Sequence, residues 1–427
     1  MIDLRLLRRD PAGARAALAR RLDDGALAQL DRVMALDGRR RALVTRVESL
    51  QAERNTQNAD VAQRKRNGEP VDGLLETLKA SGDQVRTLEA DLRDIDALLD
   101  GHLLVIPNFV LDSVPDGGVE SNRVVRSWGE PRVFDFEPRP HWEIGTALGL
   151  FDLPRGAKLT GTGFPLFTGM GARLVRALAN FMLDLHTREH GYTEVQPPYL
   201  VNRASLAGTG QLPKFEADLY HTAGDDYFLI PTSEVPVTNI HRDEILDASD
   251  LPVTMVAYTP CFRREAGAHG RDTRGLIRVH QFDKVELVRI VRPEASAREH
   301  DLITSHAEIV LQRLGLPYRA LALAAGDTGF ASACTVDLEV WAGGVGAWLE
   351  VSSASTFTDF QARRAMIRYR PSPGAKPEFV HTLNASGVAF PRTIVALLEN
   401  GQQADGSVVL PDTLVPYAGT DRLVPRT

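Results

Sequence analysis

Apolar residues recur every seven positions at Leu78, Val85, Leu92 and Leu99. A second series, Leu74, Ser81, Leu88 and Ile95, interleaves with the first at alternating steps of three and four. That spacing predicts the apolar seam of one long helix in a coiled coil. A weaker seam runs through Leu36, Leu43, Val47, Leu50 and Val61, interrupted by Arg40, Arg54 and Gln57. Between the two lies Asn67-Gly68-Glu69-Pro70, which has turn chemistry. The pattern predicts an antiparallel helical hairpin, 28–66 and 71–100, whose arms would reach roughly 50 Å at 1.5 Å per residue.

The pattern changes near Gly101–Pro115, where glycine, proline, aromatics and strand-like runs take over. Ala172–His190 reads as an amphipathic helix ending at Gly191. Val253–Phe262, Leu276–Val291 and Val336–Trp341 read as strands, and Gly343-Gly344 as the turn of a hairpin from Trp341 to Trp348. There is no βαβ rhythm, no phosphate-binding lysine loop and no Gly-x-Gly-x-x-Gly after a strand, which argues against a Rossmann-type nucleotide site. The reading is an α+β chain: residues 1–106 carrying the helical arm, and 107–427 forming a mixed domain built on an antiparallel sheet.

Composition adds limits. A chain of 427 residues, 43% hydrophobic and 25% charged, is an ordinary globular composition with enough chain for two or three domains. No apolar run approaches the roughly 18–20 residues of a membrane span, and Met1–Arg9 lacks the apolar core of a signal peptide. Cys261 and Cys334 are too far apart in sequence for a disulfide framework or a zinc spacing, so no zinc and a reducing cytoplasm are expected. The net charge of −7 excludes a wholly basic nucleic-acid binder but not a local basic face. Arginine supplies 43 of the 49 basic residues, a bias we read first as GC-rich coding. The two arms differ in sign. Residues 28–66 hold nine basic against five acidic residues, and 71–100 hold three against eight. A basic helix on an extended arm can track phosphates, although from charge alone a solvated coiled coil with ion pairs within the hairpin is the commoner explanation.

Three stretches carry candidate chemistry. Around Cys261–Glu265 and Arg278–Glu286, separated by a glycine-rich loop, two-residue periodicity puts Arg263 with Glu265, and Arg278 with Phe282 and Glu286, on shared strand faces. Guanidinium groups fit phosphate, an aromatic ring beside arginine can sandwich a nucleobase, and a carboxylate accepts from an amine. A salt-bridged sheet face would show the same pattern. Thr232 and Glu234, on one face if extended, suit an ammonium group, but also a turn or helix cap. Asn384 to Arg392 precedes a helix with Pro391 in its first turn, Gly401 at its C′ end and Arg392 at its positive end. The alternative there is a capped core helix.

Together these stretches resemble the three signature motifs of class II aminoacyl-tRNA synthetases. Gly191-Tyr192-x-x-Val195-x-x-Pro198 is similar to motif 1. Phe262-Arg263-x-Glu265 with Arg278-x-x-x-Phe282 is similar to motif 2, and Gly387 to Arg392 to motif 3. The likeness narrows to bacterial-type seryl-tRNA synthetases. It is carried by Gly208–Phe215, Pro231–Pro236, Gly270–Leu276 and Asp359–Arg364, among other runs. It covers essentially the whole chain.

The resemblance implies activation of L-serine with ATP to seryl-adenylate, then transfer to the 3′ end of serine tRNA, and of selenocysteine tRNA where present. It implies an antiparallel sheet of six to seven strands, a homodimer formed through motif 1 around Pro198, and serine tRNA gripped by the arm. Arg263 is implied to bind the α-phosphate and the serine carboxylate, Glu265 the adenine amino group, and Phe282 to stack on adenine. Arg278 and Arg392 would hold the β/γ-phosphates, and Glu350 and Ser353 the Mg²⁺ that accompanies ATP. Thr232, Glu234, Glu286, Asn384 and Ser386 would form the serine pocket. The carboxylate of serine is already a nucleophile, so activation is positioning and charge stabilisation, with Arg263 and Arg392 as the catalytic groups.

The chain departs from the family pattern at Gly163, Leu349, Ala354, Thr356, Ala385 and Pro391. Read as clustering around the pocket, these suggest either lineage drift or a specialised second copy resistant to an antibiotic that mimics seryl-adenylate. Two rival functions are a ligase that loads a carrier protein and a non-catalytic regulator. The intact arm argues against the first, and the retained Arg263, Glu265, Arg278, Glu350 and Arg392 against the second.

Overall fold

The computed structural model describes residues 1–266 and 274–425. The chain forms two compact units: Ile2–Ala19 with Asp23–Pro107, and Asn108–Thr427 together with Met1 and Arg20–Leu22.

The helical unit contains α1 (Leu4–Arg9), α2 (Pro11–Ala19), α3 (Asp24–Asn67) and α4 (Asp72–Leu103). Asp23 caps α3 by accepting from the Ala26 amide, and Gly68 ends it at a left-handed φ of 74°. Both arms of the hairpin outrun the heptad pattern, because Leu30, Val33 and Leu103 are buried too. Along α4 the buried and half-buried positions include all eight of the predicted seam. Val47 and Leu50 of α3 and Val85 of α4 form a buried apolar cluster, with Leu88 packed against it. Arg40–Asp96 (2.5 Å) and Gln51–Glu89 (3.2 Å) tie the two helices, so ion pairs within the hairpin are real. Asp37 is fully buried, held by Arg8 and Arg41. Their positive charges keep its carboxyl below the ordinary range although burial opposes them.

The second unit is built on one sheet. Its elements are β1 (Arg123–Trp128), α5 (Met170–Arg188), β2 (Thr193–Glu194), α6 (Glu234–Thr238), β3 (Val253–Phe262), β4 (Gln281–Val291) and α7 (Ser296–Arg313). Then follow β5 (Tyr318–Ala322), β6 (Cys334–Ala342), β7 (Ala347–Thr358), α8 (Phe360–Ala365), β8 (His381–Ala389) and α9 (Phe390–Gly401). The strand order is β1-β5-β6-β7-β8-β4-β3-β2, eight strands rather than six to seven. All neighbours are antiparallel except β2 beside β3. The two-residue β2 is too short for a periodicity to reveal. The main core fills one face of the sheet, where Leu178 and Met182 of α5, Val310 of α7 and Ile394 and Leu398 of α9 meet strand residues such as Leu287 and Leu338.

Two expectations for the strands and helices need correction. Gly401 is the last residue of α9, not a left-handed C′ residue. It is glycine because a Cβ there would lie 2.5 Å from the Val409 carbonyl oxygen. The predicted strand from Leu276 begins only at Gln281. The segment before it is held away from the sheet by a buried anchor: the Leu276 amide donates to His141 Nε2 (3.0 Å), and His141 Nδ1 faces Glu399 of α9 (2.8 Å). Since Nε2 accepts, Nδ1 carries the ring proton.

Candidate active site

The ends of β3, β4, β7 and β8, with the start of α9, surround a cleft of about 540 Å³. On β4, Phe282, Lys284 and Glu286 alternate onto the cleft face. Phe282 is half-buried at the open side, and Lys284 and Glu286 are buried behind it. The carboxylate of Glu286 sits beneath the surface and meets the cleft through its neighbours.

Arg263, Glu265 and Arg278 reach the cleft by a route that strand alternation misses. β3 ends at Phe262, Glu265 takes a left-handed φ of 50°, and Arg278 lies before β4. Arg263 donates through Nε to the Pro231 carbonyl (3.2 Å), and its guanidinium stands 5.2 Å above the Phe282 ring. Arg278 and Glu265 are joined by an ion pair, and Arg278 Nε has no hydrogen-bond partner among the described residues. The four groups therefore converge, but loops and one ion pair bring them together. Arg271, Asp272 and Thr273 of the glycine-rich run lie outside the described residues.

Arg392 enters from the first turn of α9. It donates to the Ile277 carbonyl (3.0 Å) and the Glu350 carbonyl (2.8 Å), with the Glu350 carboxylate 3.6 Å away. Glu350 and Ser353 both line the cleft on β7. Asp337 pairs with Ser353 across β6 and β7. Burial, then the charge of Glu350, push its carboxyl up, and Asp337 Oδ1 is buried without a partner among the described residues. Two crowded carboxylates, one half-exposed to the cleft, fit a divalent cation arriving with a triphosphate. No cluster of three or more His, Cys, Asp or Glu able to hold a metal occurs among the described residues.

One end of the cleft is acidic. Glu234 does not lie on an extended segment. It opens the short helix α6, and its amide donates to Thr232 Oγ1 (3.2 Å). Its carboxylate accepts from Gln361 Nε2 of α8 (2.6 Å) and Asn384 Nδ2 of β8 (3.1 Å). Asn384 also donates to Glu286 Oε1 (2.8 Å), so one amide bridges two carboxylates. Burial first, and Glu286 second, push the Glu234 carboxyl up to about 7, against the pull of Gln361, Lys284 and Arg263. Ser386 lines the cleft beside them, and the Ser352 hydroxyl donates to its carbonyl. Pro198 is exposed and lies outside the cleft.

Of the departures, Pro391 alone lines the cleft. Ala354 and Ala385 face each other across β7 and β8 and are fully buried in the core. The Thr356 hydroxyl meets Ser296 of α7, and Leu349 packs at the core margin. Gly163, at a φ of 84°, lies under His280, where a Cβ would come within 2.2 Å of the ring. Ala354, Thr356 and Ala385 thus alternate with residues that line the cleft, but their own side chains turn away from it into the core.

Residues 1–110 match the family model described as the seryl-tRNA synthetase N-terminal domain, and 214–401 the class II tRNA synthetase core domain for G, H, P, S and T. The chain is 56% identical over 423 residues to the serine–tRNA ligase of Gemmatimonas aurantiaca, covering 98% of this chain and 99% of that protein. The chain belongs to the seryl-tRNA synthetase family. It is 54% identical to the serine–tRNA ligase of Geobacillus kaustophilus, over 98% and 99% of the two chains. It is similar throughout to the crystal structure of seryl-tRNA synthetase from Pyrococcus horikoshii complexed with ATP, with a TM-score of 0.96, 36% identity and complete coverage of both chains. As a seryl-tRNA synthetase it is a class II, ATP-dependent serine–tRNA ligase. No helix of the described residues is long and apolar enough to cross a membrane.

The sequence reading gave no role to Lys284, Gln361, Asp337 or Arg21. Lys284 was signalled by its alternation with Phe282 and Glu286, but lysine is so often exposed that alternation alone is a weak sign. Gln361 lies in the run Asp359–Arg364 that carries the resemblance, but nothing in that run assigns it a role. Arg21 is buried and donates to the carbonyls of Asn108, Thr328, Gly329 and Ser332, holding a loop that lines the cleft.

Proposed function

We propose that ATP lies across the cleft with adenine stacked on Phe282, its amino group toward Glu265, its α-phosphate toward Arg263 and its β- and γ-phosphates toward Arg278 and Arg392. Serine enters the acidic end, its ammonium between Glu234 and Glu286 and its carboxylate toward Arg263. The observation that carries this reading is the gradation of charge along one cleft, with arginines at one end and two amide-bridged carboxylates at the other. A zwitterionic amino acid and a polyanion are oriented oppositely by such a field.

The chemistry follows from orientation. The serine carboxylate attacks the α-phosphorus in line with departing pyrophosphate, and no base is needed because the nucleophile is already charged. Arg263, near both reacting groups, offsets the charge that gathers on the α-phosphate, and Arg392 holds the leaving end. Mg²⁺ held by Glu350 and Ser353 would add charge neutralisation of the phosphates. Hydrogen bonds to the serine hydroxyl reject analogues lacking it, since those would leave buried polar groups unpaired.

The basic face of α3, with Arg39 and Arg46 exposed one heptad apart, suits serine tRNA. Residues 1–106 then act as the tRNA-binding domain and 107–427 as the catalytic domain. The edge strand β1, exposed along all six residues and carrying Val124, Val125 and Trp128, and the exposed Pro198 support a homodimer. A cytoplasmic setting follows from the substrates.

Serine-dependent ATP–pyrophosphate exchange, followed by charging of serine tRNA, tests the reading. Exchange with serine and not with alanine supports the pocket. Charging lost while exchange persists in an R39E/R46E variant supports the arm. No serine-dependent exchange would overturn the cleft assignment.

A further inference from the structure

Among the described residues Lys284 is the one buried cation of the acidic end, and none of the proposed roles uses it. Its side chain is 6% exposed. Nζ donates to Thr232 Oγ1 at 2.8 Å and contacts Glu286 Oε2 at 2.5 Å. A buried lysine is costly unless fully paired. Here the pairing binds together two residues of the proposed serine pocket that come from different parts of the chain.

Two consequences follow from counting. The first concerns charge. Glu234 and Glu286 are bridged by Asn384, and with Lys284 the group carries a net charge of −1 when both carboxylates are ionised. One added ammonium brings it to zero. Without Lys284 the paired carboxylates would relieve their repulsion by keeping a proton, and the site would offer an ammonium only one anion. The second concerns hydrogen-bond direction. Thr232 Oγ1 accepts from Lys284 Nζ and from the Glu234 amide, which engages both of its lone pairs. Its hydroxyl proton is what it has left to offer, so it meets an oxygen acceptor on the substrate and not the ammonium.

We propose that Lys284 is a positioning and specificity residue of the serine pocket, an internal counter-cation that keeps Glu234 and Glu286 both available to the substrate ammonium and turns Thr232 into a donor. The inference rests on the serine-pocket reading above. The groups that face Lys284 are Glu286 on its own strand, Glu234 on α6, Arg263 after β3, and the buried Cys261 thiol on β3. Arg263 is engaged with Pro231 and Phe282, and burial pushes the Cys261 thiol up, which keeps it neutral. The carboxylate that titrates beside Lys284 is therefore Glu234.

The test uses the full-length protein in serine-dependent ATP–pyrophosphate exchange, with K284M and K284Q alongside the parent from pH 6 to 8.5. The parent alone tests the pocket reading: absence of serine-dependent exchange in the parent would refute that reading, whatever the variants do. Given exchange in the parent, the serine KM of K284M should rise at least about tenfold with the ATP KM unchanged within twofold. The midpoint at which serine KM depends on pH should move upward by a pH unit or more, so that the gap to the parent narrows toward pH 8.5. K284Q, which can still donate to Thr232 but carries no charge, should show the same pH shift with a smaller rise in KM. A serine KM unchanged in both variants, an equal rise in both KM values, or an unshifted pH profile in variants that unfold at the parent's temperature would overturn the proposal. If K284M does not fold, the pH profile of K284Q decides alone.

Discussion

Glu234 shows how one residue takes its chemistry from its surroundings. Its ordinary carboxyl range is near 4.5, and burial beside Glu286 raises it to about 7. A carboxyl that must be ionised to hold an ammonium then binds better as pH rises. Serine KM should fall as pH increases from 6 to 8, by up to about tenfold per unit below the midpoint. E234Q should flatten that dependence and raise KM at pH 8, as steady-state exchange at several pH values would reveal. Phe282 makes a different contribution. In its proposed place on adenine the ring would supply stacking worth about 1–3 kcal/mol per base, so F282L should raise the ATP KM by roughly five- to a hundredfold and leave the serine KM nearly unchanged. Parallel rises in both would refute the adenine assignment. At this scale the sequence was informative about identity: every side chain proposed for the cleft from the motifs lines it or lies directly beneath it, Pro198 having been read as a dimer residue. It was less informative about geometry. Arg263, Glu265 and Arg278 share a surface through a left-handed turn and an ion pair, which two-residue alternation cannot anticipate.

Elements are stabilised by contacts that run between them. Gly401 closes α9 against Val409, and a methyl group there must displace a backbone carbonyl. G401A should cost about 1–3 kcal/mol by chemical denaturation, the cost of overpacking, whereas a conventional left-handed C′ site would respond through backbone strain. On α5, His186 touches His190 (2.9 Å between ring nitrogens), and His190 stacks on His306 of α7 at 4.0 Å. Tyr192 bonds His306, and Arg289 of β4 bonds Tyr192. Burial, then the neighbouring histidines, lower His186 to about 3. The sign is direct. Between about 3 and the unfolded value of 6.5 the unfolded chain binds more protons, so stability falls as pH drops below 6.5. From pH 7.5 to 5.5 His186 alone should cost about 1.4 kcal/mol, and H186F should remove that part of the slope in unfolding measured at both pH values. An unchanged slope would mean that His186 is protonated in the folded state.

At the scale of the whole molecule, the proposed roles assign adenylate formation and the gripping of tRNA to different parts of the chain. R39E/R46E changes charge on α3 only, so exchange should persist while the tRNA KM rises at least tenfold and its dependence on salt weakens. Loss of both activities would mean that the arm is needed for the fold of the rest. The departures from the family pattern also find their meaning here. Ala354 and Ala385 fill a core position as a pair, and Pro391 is alone among the six in facing the cleft. A non-hydrolysable seryl-adenylate analogue should therefore inhibit this enzyme as strongly as one that carries the family residues, measured by competition against ATP. Weak inhibition would restore the idea of a resistant second copy.

The sequence by itself determined the arm, its seam and its turn, because a helical hairpin is specified by local periodicity and neighbouring contacts. It also determined the family and which side chains line or underlie the cleft, because those lie in short runs of residue type. The tertiary structure alone decided the eight-strand order, the parallel edge, the buried cation at Lys284, the role of Gln361 under Glu234 and the burial of the departures. Each of these depends on residues far apart in the chain meeting in a low-dielectric interior, where pairing and protonation are set by neighbours that no local pattern contains.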